Sequence, residues 1–222
     1  MIELYHCVNA RSFRPLWTLE EMGLTYRLHV LPFPPRAAQP AYKDLNPLGT
    51  IPLFLDGSVR MTESSAISHY LAVHHGPTPL AIEPDDPAYG AFLNWISFGE
   101  ATLTFPQTLV LRYGQFEPED RRLPQVADDY GRWFLARLRA VETALADDDH
   151  LCAGRFTVAD ISVGYALLLA GLVGLQTGFG PRTAAYWTRL QSRDGFQRAI
   201  AAQKEGARVL GKVDSFGRVL PD

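Results

Sequence analysis

The sequence predicts an α/β domain of order βαβ-ββα followed by an all-α domain. Three observations predict it. A short alternating run, an amphipathic run and a second alternating run open the chain, the spacing of a right-handed βαβ unit. A proline-led apolar run then meets an Asp56-Gly57 turn, a further short strand and a helical pattern. Past two proline clusters, the texture changes to long patterns of helical period. The expected division is residues 1–77, a linker over 78–87 and a helical domain over 88–222.

The first strand is expected over 2–6. A helix over 12–22 follows, because Phe13, Leu16, Trp17 and Leu19 form one apolar stripe and Gly23 suits a left-handed stop. Pro15 lies in its first turn, where a missing N–H matters little. Residues 25–31 alternate as a second strand, and 32–40 hold prolines that break regular structure. A short helix is expected near 41–45, strands at 51–55 and 59–61, and a helix over 64–74. Further on, helical patterns cover 88–111, 124–145, 158–175, 184–190 and 195–202, with Pro106 expected to kink or divide the first. Thr157-Val158-Ala159-Asp160 has the form of a capping box, so Asp160 is expected to serve folding rather than catalysis. The stretch 204–222 has weak pattern and is expected to pack loosely.

An apolar share of 47% over 222 residues supports a sizeable core. A net charge of −3 with scattered arginines argues against electrostatic nucleic-acid binding. No basic, apolar leader opens the chain, and the longest apolar stretch, 165–175, is too short to span a bilayer. Two cysteines cannot build a disulfide framework. The simplest expectation is a cytoplasmic protein with neither a membrane nor a nucleic-acid partner. No carboxylate or cysteine set completes a ligand pattern around the six histidines, so no metal is expected.

The stretch 46–67 carries the binding chemistry. Ile51 precedes Pro52, is therefore held extended, and can offer its N–H and C=O to a peptide-like ligand. Glu63 and Ser64 stand at a helix start, where free N–H groups receive a carboxylate. Taken alone, these residues equally fit a hairpin packed on a helix. The pattern Asn46-Pro47-Leu48-Gly49-Thr50-Ile51-Pro52, continued to Thr62-Glu63-Ser64-Ser65-Ala66-Ile67, resembles the glutathione-binding half of the cytosolic glutathione transferases. The resemblance implies a thioredoxin-like N-terminal domain and a cis Ile51-Pro52 bond. It also implies Ile51 paired with the cysteinyl part of glutathione, Glu63 and Ser64 holding the γ-glutamyl end, and a homodimer.

Tyr5-His6-Cys7-Val8-Asn9-Ala10-Arg11-Ser12-Phe13-Arg14 joins the first strand to the first helix. A thiol held there meets free backbone N–H groups and the positive end of a helix dipole, both favouring the thiolate. The run Ala10-Arg11-Ser12-Phe13-Arg14-Pro15-Leu16-Trp17, with Leu19-Glu20-Glu21-Met22-Gly23-Leu24 after it, resembles a bacterial and fungal group of these enzymes that often has Ser-Arg-Ser-Phe-Arg here. Ala10 stands where the first serine would, so the hydroxyl that the resemblance implies is missing. Ser12 and Asn9 are then candidate donors to the thiolate, and Arg11 a candidate for charge or for the glycyl carboxylate. Their plainer alternatives are a helix N-cap, a turn residue and a solvated arginine. Tyr5 is expected in the core or the groove wall. Cys7 has no second sulfur at Cys-x-x-Cys spacing and is expected to be buried and unreactive.

The same resemblance places an electrophile against the first helices of the α domain. Phe98, Phe105, Arg112 and Tyr113 are the candidate pocket residues, with core or subunit packing as the alternative for the aromatic ones. The expected function is glutathione transfer to a small hydrophobic electrophile. A glutathione-dependent reductase, lyase or dehalogenase is the second expectation, and a non-enzymatic binding module of the same fold is the third.

Overall fold

A computed structural model describes residues 1–219, which form two compact units. The first unit joins Met1–Thr78 to the described residues from Gln191 onward; the second is Pro79–Leu190. The helical domain therefore does not run on to the C-terminus, as the expected division had it. The chain returns to the first unit after residue 190.

The first unit contains β1 (Ile2–His6), α1 (Phe13–Met22), β2 (Tyr26–Val30), α2 (Pro35–Ala38), α3 (Tyr42–Leu45), β3 (Leu53–Asp56), β4 (Val59–Met61) and α4 (Ser64–His74). The sheet order is β2-β1-β3-β4, with β1 parallel to β2 and antiparallel to β3, and β3 antiparallel to β4. This is the βαβ-ββα arrangement of a thioredoxin-like domain. Leu4 on β1 lies between Leu28 and Phe54, and Leu4 and Phe54 are fully buried. Pairing of β3 starts at Leu53, opposite Tyr5, rather than at residue 51. Pro52 has no N–H to give to the ladder, so the strand begins after it. Helix α1 ends at Gly23, whose φ of 63° lets the Gly23 and Leu24 N–H groups close on the Glu20 and Leu19 carbonyls.

The second unit contains α5 (Tyr89–Ser97), α6 (Phe105–Leu111), α7 (Pro124–Ala144), α8 (Val158–Leu172) and all but the last residue of α9 (Pro181–Gln191). Pro106 does not break the run 89–116. A π-helical turn, Phe98–Thr104, precedes it, and Pro106 falls in the first turn of α6. The widened turn alters the hydrogen-bond register before the proline, and the Thr104 hydroxyl donates to the Gly99 carbonyl at 2.7 Å. The capping box of α8 is present. Asp160 does more than cap: it also takes the Leu151 N–H at 3.2 Å and the Tyr186 hydroxyl at 2.8 Å.

Helix α10 (Asp194–Ala207) packs on α1 in the first unit. Phe196 meets the edges of Trp17 and Phe13 at 5.0 and 5.4 Å. Arg193 clasps Glu21 with two bonds, at 2.7 and 2.9 Å, and Trp17 Nε1 donates to the same carboxylate at 2.9 Å. The described part of the C-terminal stretch is likewise held, contrary to the expected loose packing. Phe216 is buried, and the Gly217 carbonyl accepts the Phe33 N–H at 2.9 Å. The last three residues of that stretch lie outside the described residues. Among the described residues no helix is long and apolar enough to cross a membrane.

Candidate active site

The loop after β1 is held from behind by a buried polar network that runs to α10. His6 ends β1 facing inward with Ile2 and Leu4. Its Nε2 lies 3.1 Å from Gln203 Oε1, and its Nδ1 lies 2.8 Å from Ser12 Oγ. Gln203 Oε1 also accepts the Asn9 N–H at 3.1 Å, while Gln203 Nε2 donates to Asn9 Oδ1 at 2.7 Å. An amide oxygen only accepts, so His6 carries its proton on Nε2 and its Nδ1 accepts from the Ser12 hydroxyl. Ser12 Oγ in turn accepts the Cys7 N–H at 3.3 Å. Complete burial lowers the His6 pKa to about 4, although its bonds to Gln203 and Ser12 pull the other way. The ring is therefore neutral at physiological pH.

These bonds change the roles expected of two candidates. Ser12 is fully buried with its hydroxyl committed to His6, so it presents no hydroxyl to a ligand. It stands before α1 without capping it by its side chain. Asn9 has a positive φ of 54°, and both ends of its amide are engaged, Oδ1 by Gln203 and Nδ2 by the Ser215 carbonyl at 2.8 Å. Asn9 thus latches the loop to the C-terminal segment. Arg11 remains half-buried at the start of α1. Cys7 is buried, its thiol turned toward the Pro32 carbonyl at 3.7 Å, and burial pushes its pKa well above the ordinary thiol range. Tyr5 stacks on His29 with ring centroids 4.4 Å apart.

The second part of the site is the approach to β3 and the start of α4. The Ile51-Pro52 bond is cis, as the resemblance implied. Ile51 is partly buried against Cys7, Leu31, Tyr42 and Leu53. Among the described residues no hydrogen bond occupies its N–H or C=O. Just before it, the Thr50 carbonyl is fixed by the Tyr42 hydroxyl at 2.8 Å and by Asn46 Nδ2 at 2.9 Å. Buried Asn46 thereby sets the course of the backbone leading to Ile51. Glu63 is exposed and extended immediately before α4. Ser64, the first residue of α4, is buried, and Arg14 Nη1 donates to its hydroxyl at 3.0 Å.

Arg14, His6 and Gln203 had not been singled out from the sequence. The alternation over residues 2–6 is a signal that His6 faces inward with Ile2 and Leu4, and Arg14 stands next to Phe13 in the run that opens the first helix. Gln203 carries no local signal, since it is separated from His6 by 197 residues.

The candidates in the second unit are more dispersed in environment. Tyr113 lines a cavity of about 390 Å³ together with Val110, Leu135 and Leu175. Phe98, Phe105 and Arg112 do not line that cavity. Phe98 packs edge-on against Trp95 at 5.1 Å, and Phe105 is exposed. Arg112 pairs with Glu117 at 2.9 Å and lies over the Tyr113 ring.

Residues 10–74 match the family described as "Glutathione S-transferase, N-terminal domain". Glutathione S-transferase 3 of Schizosaccharomyces pombe is 38% identical over 103 residues, which is 46% of this chain and 43% of that protein. Glutathione S-transferase 2 of Anopheles gambiae is 30% identical over 173 residues, covering 75% of this chain and 78% of that protein. The glutathione transferase URE2P8 of Phanerochaete chrysosporium, solved with oxidized glutathione, shares the fold at a TM-score of 0.80 and 19% identity, covering 92% of this chain and 95% of that one. The fold and these similarities define a thioredoxin-like domain joined to a helical unit of the transferase type. The chain belongs to the glutathione S-transferase family.

Proposed function

We propose that this family member binds glutathione through Ile51, Pro52, Glu63 and Ser64 and adds its thiolate to a small hydrophobic electrophile. The observation that carries this reading is the start of α4, which has no side-chain cap and where the buried Arg14 guanidinium donates to Ser64, so that its first N–H groups are suited to a carboxylate. Arg14 occupies one acceptor position of the Ser64 hydroxyl, which leaves the hydroxyl proton for the γ-glutamyl carboxylate. Ile51 supports the same assignment, with backbone groups suited to pairing with the cysteinyl segment. That the related Phanerochaete chrysosporium enzyme was solved with oxidized glutathione also supports the tripeptide as co-substrate.

In this reading Arg11 and the first turn of α1 form the thiolate's environment, while Asn9 and Ser12 hold the loop from behind. Phe98, Phe105, Arg112 and Tyr113 serve the electrophile, and two copies form a homodimer. Placement in the bacterial and fungal group with Ser-Arg-Ser-Phe-Arg is part of the same proposal and rests on residues 10–17.

Calorimetric titration with glutathione tests the first half; turnover of a chloronitrobenzene tests the second. Absence of glutathione binding would overturn the proposal. One observation favours a second chemistry at the same groove: with Ala10 in place of a serine and Ser12 buried, no loop hydroxyl is offered to the thiol. Turnover of a disulfide substrate by the glutathione complex, without conjugation, would identify that reductase chemistry.

A further inference from the structure

We propose a divalent transition-metal site, built from Asp56, His74 and His75, where the β3–β4 turn meets the end of α4. The donor atoms of these three side chains lie within 4.8 Å of one another. The two histidines are neighbours at the helix end and could not form such a set alone. The carboxylate comes from the hairpin: Asp56 Oδ2 accepts from His75 Nε2 at 2.6 Å and from the Tyr70 hydroxyl at 3.2 Å. The expectation of no metal rested on the lack of a carboxylate spaced to match the histidines, and the hairpin brings one to them from earlier in the chain.

Two imidazoles and one carboxylate form a donor set suited to Zn²⁺, Ni²⁺ or Cu²⁺ and poorly suited to Mg²⁺ or Ca²⁺, which favour all-oxygen shells. The side chains are also partly oriented in advance. The Tyr70 ring stacks on His74 at 4.8 Å and meets His75 edge-on at 6.2 Å, while the two imidazoles lie nearly perpendicular at 5.0 Å. Donors around one tetrahedral ion stand about 3.4 Å apart for bonds near 2.1 Å. Reaching that spacing opens the 2.6 Å hydrogen bond between His75 and Asp56 and turns the exposed His74 side chain away from its stack on Tyr70. Water completes the shell. An ion held there ties the hairpin turn to the C-terminal end of α4, so its effect falls on the stability of the first unit.

The test is calorimetric titration of Zn²⁺ into the full chain after chelator treatment, with Mg²⁺ as the comparison. The expected result is saturable binding of one Zn²⁺ per chain, no comparable binding of Mg²⁺, and a rise in melting temperature with Zn²⁺. His74→Ala removes an exposed ligand without disturbing the core. His75→Gln removes the imidazole while keeping an N–H for Asp56. Each should weaken Zn²⁺ binding by about tenfold or more and abolish the thermal shift. His29→Gln, at the separate pair with Glu3, should leave binding unchanged. No Zn²⁺ binding by the unaltered chain, or an affinity in His74→Ala and His75→Gln unchanged from that of the unaltered chain, would overturn the proposal.

Discussion

Replacing Gln203 by leucine should destabilise the first unit by about 3 kcal/mol and loosen the loop after β1. Gln203 is 2% exposed, and leucine has a similar volume, so the effect is polar rather than a large cavity. Three bonds are removed: from His6 Nε2 and the Asn9 N–H to Oε1, and from Nε2 to Asn9 Oδ1. His6 is fully buried, and an orphaned buried donor costs about 1–3 kcal/mol, here about 2. Asn9 is half-buried and regains water in part, so its two lost bonds add about 1 kcal/mol. Without Gln203, Asn9 also loses two of the bonds that hold its left-handed backbone, and the start of α1 shifts with it. Urea unfolding reads the stability, and the pH dependence of thiolate absorbance in the glutathione complex reads the loop. A loss below about 1 kcal/mol together with an unchanged thiol pKa would refute the argument that this amide holds the loop.

Three further outcomes are expected. The His6 pKa is depressed from 6.5 to about 4, so its contribution to stability is complete above pH 6.5 and is lost as pH falls toward 4, by up to about 3 kcal/mol at about 1.4 kcal/mol per unit. Urea midpoints measured from pH 7.5 to 4.5 should show that fall and should show a shallower one in His6→Gln; parallel slopes would contradict it. Asp160→Asn should cost about 3 kcal/mol or more, above the roughly 1–2 kcal/mol of a lost cap, because the carboxylate accepts from Thr157, Leu151 and Tyr186 at once; an unfolding loss no greater than that of a cap would reject the wider role. Gly99→Ala would set a Cβ 2.6 Å from the Ser162 carbonyl carbon, where backbone must move, and should cost about 1–3 kcal/mol in thermal unfolding. A neutral alanine there would show that the π-helical turn and α8 are not packed so closely.

Much of the fold was legible because its cues are local. Alternation over 2–6 and 25–31, Gly23 after the Phe13-to-Leu19 stripe, Asp56-Gly57 and the Thr157–Asp160 box each act within a few residues, and each marks an element that the structure contains. The π-helical turn before Pro106 was not legible, since a proline pattern indicates a break without saying how the chain absorbs it. Nor was the return of α10 to the first unit. An amphipathic helix declares an apolar face without naming the face it meets, and here Phe196 meets Trp17 and Phe13.

The candidate site divides in the same way. By itself the sequence determined a helix start with Glu63 and Ser64, an extended residue before Pro52, and a loop at 7–12 with Asn9 and Ser12 as its polar candidates, because these follow from neighbouring residue types. Only the tertiary structure decided which polar groups of that loop remain available. Ser12 and Asn9 were both candidates in sequence, but His6 takes the one hydroxyl and Gln203 and Ser215 take the other's amide. Asp56 joined His74 and His75 for the same physical reason. Hydrogen-bond partners and ligand sets are settled by proximity in the folded chain, and Gln203 stands 197 residues from the histidine it orients.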